Sequence, residues 1–429
     1  MSIQSVLAFP ATVHDAGHLD TRFAAKGTAQ VYFFGSISSL ANDIAIDSQG
    51  RLLVAAKVAM PGGSRFGLAR LLGDGSADLA FGNQGSVIGQ FEPGFEAMAG
   101  KVKVLPDGHI LIAGLHYESE YRTLPALALF DHNGQPVQRF GNNGLCVVRL
   151  PGHLSRGTRD LWLPPGVPGA EACSIDVQED GRILLVANHH FELADHAAML
   201  IRLAADGTLD NTFNGRGFVM VRHLLMNTWL NSVVVQRDGR ILVGGSINFP
   251  EEGLVARYHG DGSLDNSFAV DGFMSFTANG HGAQVSQIVQ QDNGDVQCFG
   301  SSRDPMRCLA LKLHVNGRPD HHCNGGQAQL LEIGHSGCQW TAAQMQPDGS
   351  ILTAGATIGG VEADFVVGRY LPGGHLDGDF GNDNGWVRTR LGRSLDTATS
   401  IAVQDDGNIL VAGYSLDGNY RAIVARYLG

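Results

Sequence analysis

Apolar and polar positions alternate along this chain in short runs that break at glycine turns, and the same break recurs seven times. The copies are Gln49-Gly50-RLLVAA, Asp107-Gly108-HILIAG, Asp180-Gly181-RILLVA, Asp238-Gly239-RILVGG, Asn293-Gly294-DVQCFG, Asp348-Gly349-SILTAG and Asp406-Gly407-NILVAG. Each follows an alternating segment such as SVVVQR or SIAVQD. Asp-Gly or Asn-Gly between two β-branched runs predicts a hairpin, because glycine supplies the positive φ that the tight turn needs.

A third apolar segment follows about ten residues later, as GLARL, LVARY, CLALKL, VVGRY and IVARY. A polar stretch of the type DGSLDNSFAVDG then leads into a fourth strand, for example SVIGQF or FVMVRH. One unit is therefore four short strands in 55 to 59 residues, with one copy expanded to 73. No helix-period segment of useful length interrupts the pattern. A unit of this kind cannot bury both apolar faces alone, so the copies must stack. The sequence predicts an all-β fold, a seven-bladed β-propeller of four-stranded antiparallel blades. Residues 1–16 are expected to be an N-terminal extension and 17–429 a single propeller domain.

A linear solenoid would also stack the units, and a pairing of charges argues against it. A cation stands four residues ahead of each inter-unit turn position, at Arg70, Arg202, Arg257, Lys312, Arg369 and Arg426. An aspartate follows five of these by eight residues, at Asp78, Asp210, Asp265, Asp320 and Asp377. In the second unit both positions change together, to Leu129 and Val137. Joint replacement is expected of partners in a part-buried pair, since removing one charge alone strands the other. Arg426 has no downstream partner and Asp20 no upstream one. Closing a ring brings these two together.

The recurring LDxxFG, QxDGxILVAG and LARY elements, as at Leu209-Asp210-Asn211-Thr212-Phe213 and Gln404 to Gly413, resemble the delta-60 repeat family over nearly the whole chain. The resemblance implies a bacterial β-propeller-like array, often found in large secreted or surface proteins, and brings no settled catalytic residues. The chain departs from that pattern at Leu129 and Val137, and in the sixth unit at Cys323, where phenylalanine is usual.

With the strands of a unit labelled A (SVIGQF type) to D (LARY type), the B–C turns and D–A connections fall on one rim of the ring. The A–B and C–D loops fall on the other, which carries nearly all the variation in length, and loops on a rigid scaffold are where binding concentrates. The largest excursion is the third A–B loop: Gly144 to Asp180 spans 36 positions against 21 to 23 elsewhere. Its extra segment carries Arg156, Arg159, Asp160 and Trp162, and His189 and His190 lie in the C–D loop of the same unit. These six are the candidate ligand-binding residues. A plain surface excursion is the alternative, because lengthening a loop costs little entropy. The same rim holds Tyr117, Glu118, Tyr121, Arg122, Trp229, Phe249, Arg303, Arg307, Trp340, Tyr414, Tyr420 and Arg421.

Composition narrows the partners. The formal net charge of −12 opposes nucleic-acid binding, which rests on clustered Lys and Arg. No apolar stretch is long enough for a transmembrane helix, and MSIQSVLAFPATVHDAG lacks the basic start of a cleavable signal. Membrane insertion is not expected, and a cytoplasmic location is preferred to leaderless export. Six cysteines form neither a CxxC pattern nor a dense disulfide framework; Cys298 and Cys308 are candidates to face one another across a hairpin.

The chain has no GxSxG elbow, HExxH, Walker loop or GxGxxG ahead of a helix. Adjacent side chains on a strand point oppositely, so His189-His190 and His321-His322 do not readily grip one ion. Asp377 to Asp383 resembles a calcium loop only loosely. No catalytic residue, metal or cofactor is expected. The preferred reading is a non-catalytic binding or interaction propeller for a protein, peptide or carbohydrate. The alternative is a hydrolase or lyase with its site in the central funnel.

Overall fold

The computed structural model describes residues 16–119, 122–150, 173–192, 195–224, 226–247, 251–333, 337–359, 362–392 and 395–429. Strand β1 (Thr28–Gln30) precedes blade I, which is built from β2 (Ser38–Ile46), β3 (Leu52–Met60), β4 (Gly63–Leu71) and β5 (Ser86–Gly89). Blade II is β6 (Glu96–Val104), β7 (Ile110–Ser119), β8 (Arg122–Phe130) and β9 (Leu145–Val147). Blade III is β10 (Cys173–Val177), β11 (Ile183–Glu192), β12 (Asp195–Leu203) and β13 (Phe218–Val221). Blade IV is β14 (Thr228–Val235), β15 (Ile241–Ile247), β16 (Glu252–Tyr258) and β17 (Phe273–Phe276). Blade V is β18 (Gly282–Gln290), β19 (Val296–Arg303), β20 (Cys308–Leu313) and β21 (Gln329–Leu331). Blade VI is β22 (Gly337–Met345), β23 (Ile351–Ile358), β24 (Phe365–Tyr370) and β25 (Trp386–Thr389). Blade VII is β26 (Asp396–Val403), β27 (Ile409–Asp417), β28 (Asn419–Tyr427) and the N-terminal β1. Seven four-stranded antiparallel blades make a seven-bladed β-propeller.

The blade is offset by one strand from the unit that the sequence suggests. The A segment pairs with the D strand before it, so the order within a blade is B, C, D, A, with A outermost. The B strands are innermost: β2, β6, β10, β14, β18, β22 and β26 touch one another in an unbroken circle. The offset makes the ring self-locking, because β1 from the N-terminal side pairs Thr28 with Ala425 on the C-terminal β28. The second strands explain the continuous apolar runs. Every residue of Ile241–Ile247 is buried, since each blade is covered on both faces by its neighbours.

The repeated charges form a joint between blades. Arg257 Nε donates to Asp265 Oδ2 at 2.7 Å, the guanidinium lies 4.6 Å over the Phe268 ring, and Nη1 donates to Val315 O, 2.5 Å away in the next blade's turn. Arg202 repeats this with Asp210, Phe213 and Gly260 O, and Arg70 with Asp78, Phe81 and His132 O. Arg369 pairs with Asp377 at 2.6 Å and stacks on Phe380, while Lys312 stands 3.3 Å from Asp320. The phenylalanine of LDxxFG is thus the floor on which the guanidinium rests. Phe213 also packs on the positive-φ Gly262 of the following turn, where a Cβ would come within 3.0 Å of the ring. The main chain adds a link, as Asn214 N donates to Asp261 O in that turn at 2.7 Å.

The closure uses the same parts drawn from both ends of the chain. Arg426 Nη2 lies 2.9 Å from Asp20 Oδ2, the guanidinium is 4.7 Å over Phe23, and Nη1 donates to Gly73 O at 3.0 Å. Gly17 N donates to Leu428 O and Leu428 N to His18 O, both at 2.8 Å, so residues 16–20 complete the seventh inter-strand turn.

Burial alone would raise the Asp265 carboxyl, but the Ser267 hydroxyl and amide and the Arg257 guanidinium outweigh it and hold the group well below the usual carboxylate range. Replacing Asp265 with alanine is expected to cost about 3 kcal/mol, because it leaves a buried guanidinium unpaired. Copying blade II with Arg257→Leu and Asp265→Val together should cost less than Asp265→Ala alone. Urea unfolding of the single and double variants measures this, and strict additivity of the losses would contradict a coupled pair.

Candidate functional site

The innermost strands leave an edge of peptide groups toward the channel, and these must find partners. A bulge in the innermost strands of blades I, II, IV, V, VI and VII turns an extra residue toward that edge. In four of these bulges the side chain bonds to the carbonyl that precedes the next blade's bulge. Asn42 donates to Ala99 O at 2.7 Å, Asn231 to Val285 O at 2.9 Å, Thr341 to Ala398 O at 2.8 Å and Thr399 to Ala41 O at 2.9 Å. The bulge carbonyl also explains the last glycine of the ILVGG-type runs: a Cβ on Gly245 would sit 1.8 Å from Trp229 O.

A second circle lies beside the first. Ser174 accepts from Val233 N at 3.2 Å, Ser232 from Ile288 N at 3.1 Å and Ser400 from Ile44 N at 3.3 Å. Asp43 accepts from Val102 N at 2.9 Å and from the Ser400 hydroxyl at 2.5 Å, with Lys101 Nζ 3.6 Å away. These inner polar groups are engaged in holding one blade to the next.

The rim of A–B and C–D loops is different. Few large aromatics are exposed among the described residues, and all four stand here: Tyr32 (71%), Phe34 (67%), Phe95 (37%) and Tyr420 (36%). The alternation at 31–34 sets the first two, since Val31 and Phe33 point inward and Tyr32 and Phe34 outward. Ile37, Leu224 and Met226 add exposed apolar surface on the same rim. The opposite rim exposes only aliphatic side chains among its large apolar ones, at Leu72, Leu79, Val270, Val315 and Leu371.

Beside Phe95 lies a charged group. Arg149 grips Glu92 with two bonds of 2.8 Å and reaches Glu118 at 2.9 Å. His116 is fully buried beneath them, with Nε2 3.6 Å from Glu92 Oε2 and its ring 4.9 Å from that of Phe95. Desolvation pushes the His116 pKa down, against the pull of Glu92.

The long insertion, with Arg156, Arg159, Asp160 and Trp162, lies outside the described residues, as do Tyr121 and Phe249. Arg149 precedes it in the sequence by two positions. His189 sits on β11 opposite Ala197, and the backbone of His190 is opposite His196. Trp340 is core, not rim: it is fully buried and donates from Nε1 to Tyr370 Oη at 3.2 Å. Trp229 is also buried, and Arg303 and Arg307 pair with Glu251 and Glu332. Cys298 and Cys308 do not face each other. Cys298 is opposite Leu311, and the Cys308 amide instead donates to Cys338 Sγ at 3.1 Å across the blade boundary. The bulge side chains were missed in the sequence, although Asn231 and Thr341 visibly break the alternation of their strands.

Among the described residues, one group has donors placed for a metal ion: Asp295, His314 and Asp320 on the turn rim of blade V. No helix of the described residues is long and apolar enough to cross a membrane.

A profile described as "Domain of unknown function (DUF5122) beta-propeller" matches residues 49–81, 178–213, 236–268 and 404–428. These stretches each hold a turn, hairpin strands or members of the arginine joint, and they support a propeller repeat family. No curated protein matches the chain in sequence. Similar solved structures include Chaetomium thermophilum Sqt1, with 12% identity, TM-score 0.50, and 94% of this chain and 98% of that one covered. Sqt1 bound to the N-terminus of the ribosomal protein L10 matches with 11% identity, TM-score 0.50, and 94% and 100% covered. The α-L-arabinofuranosidase Arb93A from Fusarium graminearum matches with 9% identity, TM-score 0.48, and 94% and 97% covered. At such identities the likeness is one of fold.

The buried neutral His116 makes a pH prediction. Its pKa is depressed in the fold, so the unfolded chain takes up the proton first as pH falls below about 6.5. Stability should be level above that pH and decline as pH falls toward the folded pKa. His116→Phe should flatten the decline in urea midpoints between pH 7 and 5, and an unchanged slope would exclude His116 as its source.

Proposed function

We propose that this chain is a non-catalytic binding propeller that seats a protein or peptide on its A–B and C–D loop rim, next to the insertion at 150–172. The observation that carries this reading is the segregation of Tyr32, Phe34, Phe95 and Tyr420 onto that one rim. Exposed aromatics supply large contact area at low entropy cost and dominate binding energy once desolvated. The insertion adds Trp162, Arg156 and Arg159 by sequence, side-chain types that serve as anchors of such contacts. A carbohydrate would use the same aromatic surface and is the next ligand class to test.

The central-funnel enzyme needs free carboxylates or imidazoles converging near the axis. Asp43, an inner carboxylate, is taken up by Val102, Ser400 and Lys101. That engagement favours binding over catalysis. Sqt1 holds a peptide segment on a comparable fold, which makes peptides the first library to screen. The repeats are read as delta-60 repeats and residues 17–429 as one domain.

Peptide and glycan arrays probed with the full chain are expected to yield a ligand whose binding falls about tenfold or more in Tyr32→Ser/Phe34→Ser, as for loss of a hot spot. Leu79→Ser on the opposite rim should leave it unchanged. Deleting 153–168 should weaken the same ligand. If the rim variants bind normally, or if glycan turnover appears and is lost in Asp43→Asn, the binding reading is wrong.

A further inference from the structure

Blade V departs from the other six at one spot on the turn rim. The cation there is Lys312, and Cys323 takes the place of the phenylalanine. Across the ladder, Gln297 faces Lys312 where the other blades set Leu53, Leu111, Leu184, Leu242, Leu352 and Leu410. Gln297 is 2% exposed, and neither its Oε1 nor its Nε2 has a hydrogen-bond partner. Its amide shares a space with the Lys312 stem, since a Cβ on Gly374 of the next turn would meet Cys323 Sγ at 2.6 Å, Gln297 Nε2 at 3.2 Å and Lys312 Cδ at 3.4 Å. A buried amide left unbonded where leucine serves six times calls for a polar occupant beside it.

Just beyond the last ladder pair, Val296 and Leu313, the two strands carry Asp295 and His314. With Asp320 they offer one donor atom each, all within 4.8 Å of one another. The imidazole Nδ1 is 3.6 Å from Asp295 Oδ1 and Nε2 is 3.6 Å from Asp320 Oδ1. Two carboxylates and one imidazole form a donor set for zinc-type divalent ions; imidazole selects against magnesium and calcium.

We propose that Asp295, His314 and Asp320 bind a divalent transition-metal ion of the zinc type, and that the Gln297 amide bonds to water in its coordination shell. The Lys312 ammonium lies 3.3 Å from Asp320 and 3.7 Å from Asp295, so the ion takes its place as their counter-charge. Lysine permits the exchange. It is a point charge on a flexible stem, and Cys323 offers no ring to pin it as Phe268 pins Arg257.

The test is calorimetric titration of the chelator-treated full chain with zinc chloride, with thermal melting in parallel. Saturable binding at one equivalent and a higher melting temperature are expected. His314→Ala and Asp295→Asn should each weaken binding by about tenfold or more, since even outer-shell groups carry that much. Lys312→Gln should tighten it by roughly tenfold, because the competing charge is gone. His314 is 43% exposed in its side chain, so its variant will fold even if Asp295→Asn does not. Absence of zinc binding, binding indifferent to His314→Ala, or weaker binding in Lys312→Gln would each overturn the site.

Discussion

A blade of this protein is apolar on both faces, and what makes seven of them one object is the arginine that leaves one blade and ends in the next. Its carboxylate and its aromatic floor belong to its own blade, but its third contact is a carbonyl of the following turn. Where the arginine is present, that geometry joins carboxylate, ring and neighbouring carbonyl through one side chain. An unpaired guanidinium in that setting is costly, whereas removing both charges leaves an ordinary apolar contact. Blade II shows the second state. Leu129 and Val137 stand where the ions would be, and Phe140 still packs against Gly207 of the next turn.

The same constraint determines how the ring closes. The seventh joint has the same members as the others, but Arg426 comes from one end of the chain and Asp20, Phe23 and Gly17 from the other. Strand β1 then completes blade VII beside β28. A cut between the arginine and its aspartate places both a hydrogen-bonded strand and a buried ion pair across the break, so opening the ring there means breaking both.

Much of this was legible in the sequence because its cause is periodic. Asp-Gly turns, β-branched runs and the eight-residue offset between cation and aspartate repeat often enough to be read without a structure. The role of the phenylalanine was not legible, since a buried aromatic in a turn looks the same whether it floors a guanidinium or fills a gap. Nor was the strand offset, because a repeat has no natural first strand until pairing is seen. The circle of Asn42, Asn231, Thr341 and Thr399 escaped for another reason. A bulge adds one residue to one strand, and without register that residue reads as noise in the alternation. Trp340 misled by type: its indole found Tyr370 in the core, so a large amphipathic side chain on a loop-proximal strand need not reach the rim.

Blade V shows what happens when one member of such a joint changes. Lysine has no planar face to lay on a ring, and Cys323 stands in this joint where phenylalanine stands in the others. The thiol still reaches the next turn, where a Cβ on Gly374 would come within 2.6 Å of Sγ, and Gln297 faces the lysine where the other blades set leucine. Cysteine for phenylalanine and glutamine for leucine both make the place more polar. The outcome is the only joint among the described residues where two carboxylates, an imidazole, an ammonium and a buried amide meet. A repeat protein built from strongly coupled joints holds five of its seven copies close to one pattern and tolerates new chemistry where the coupling has been released.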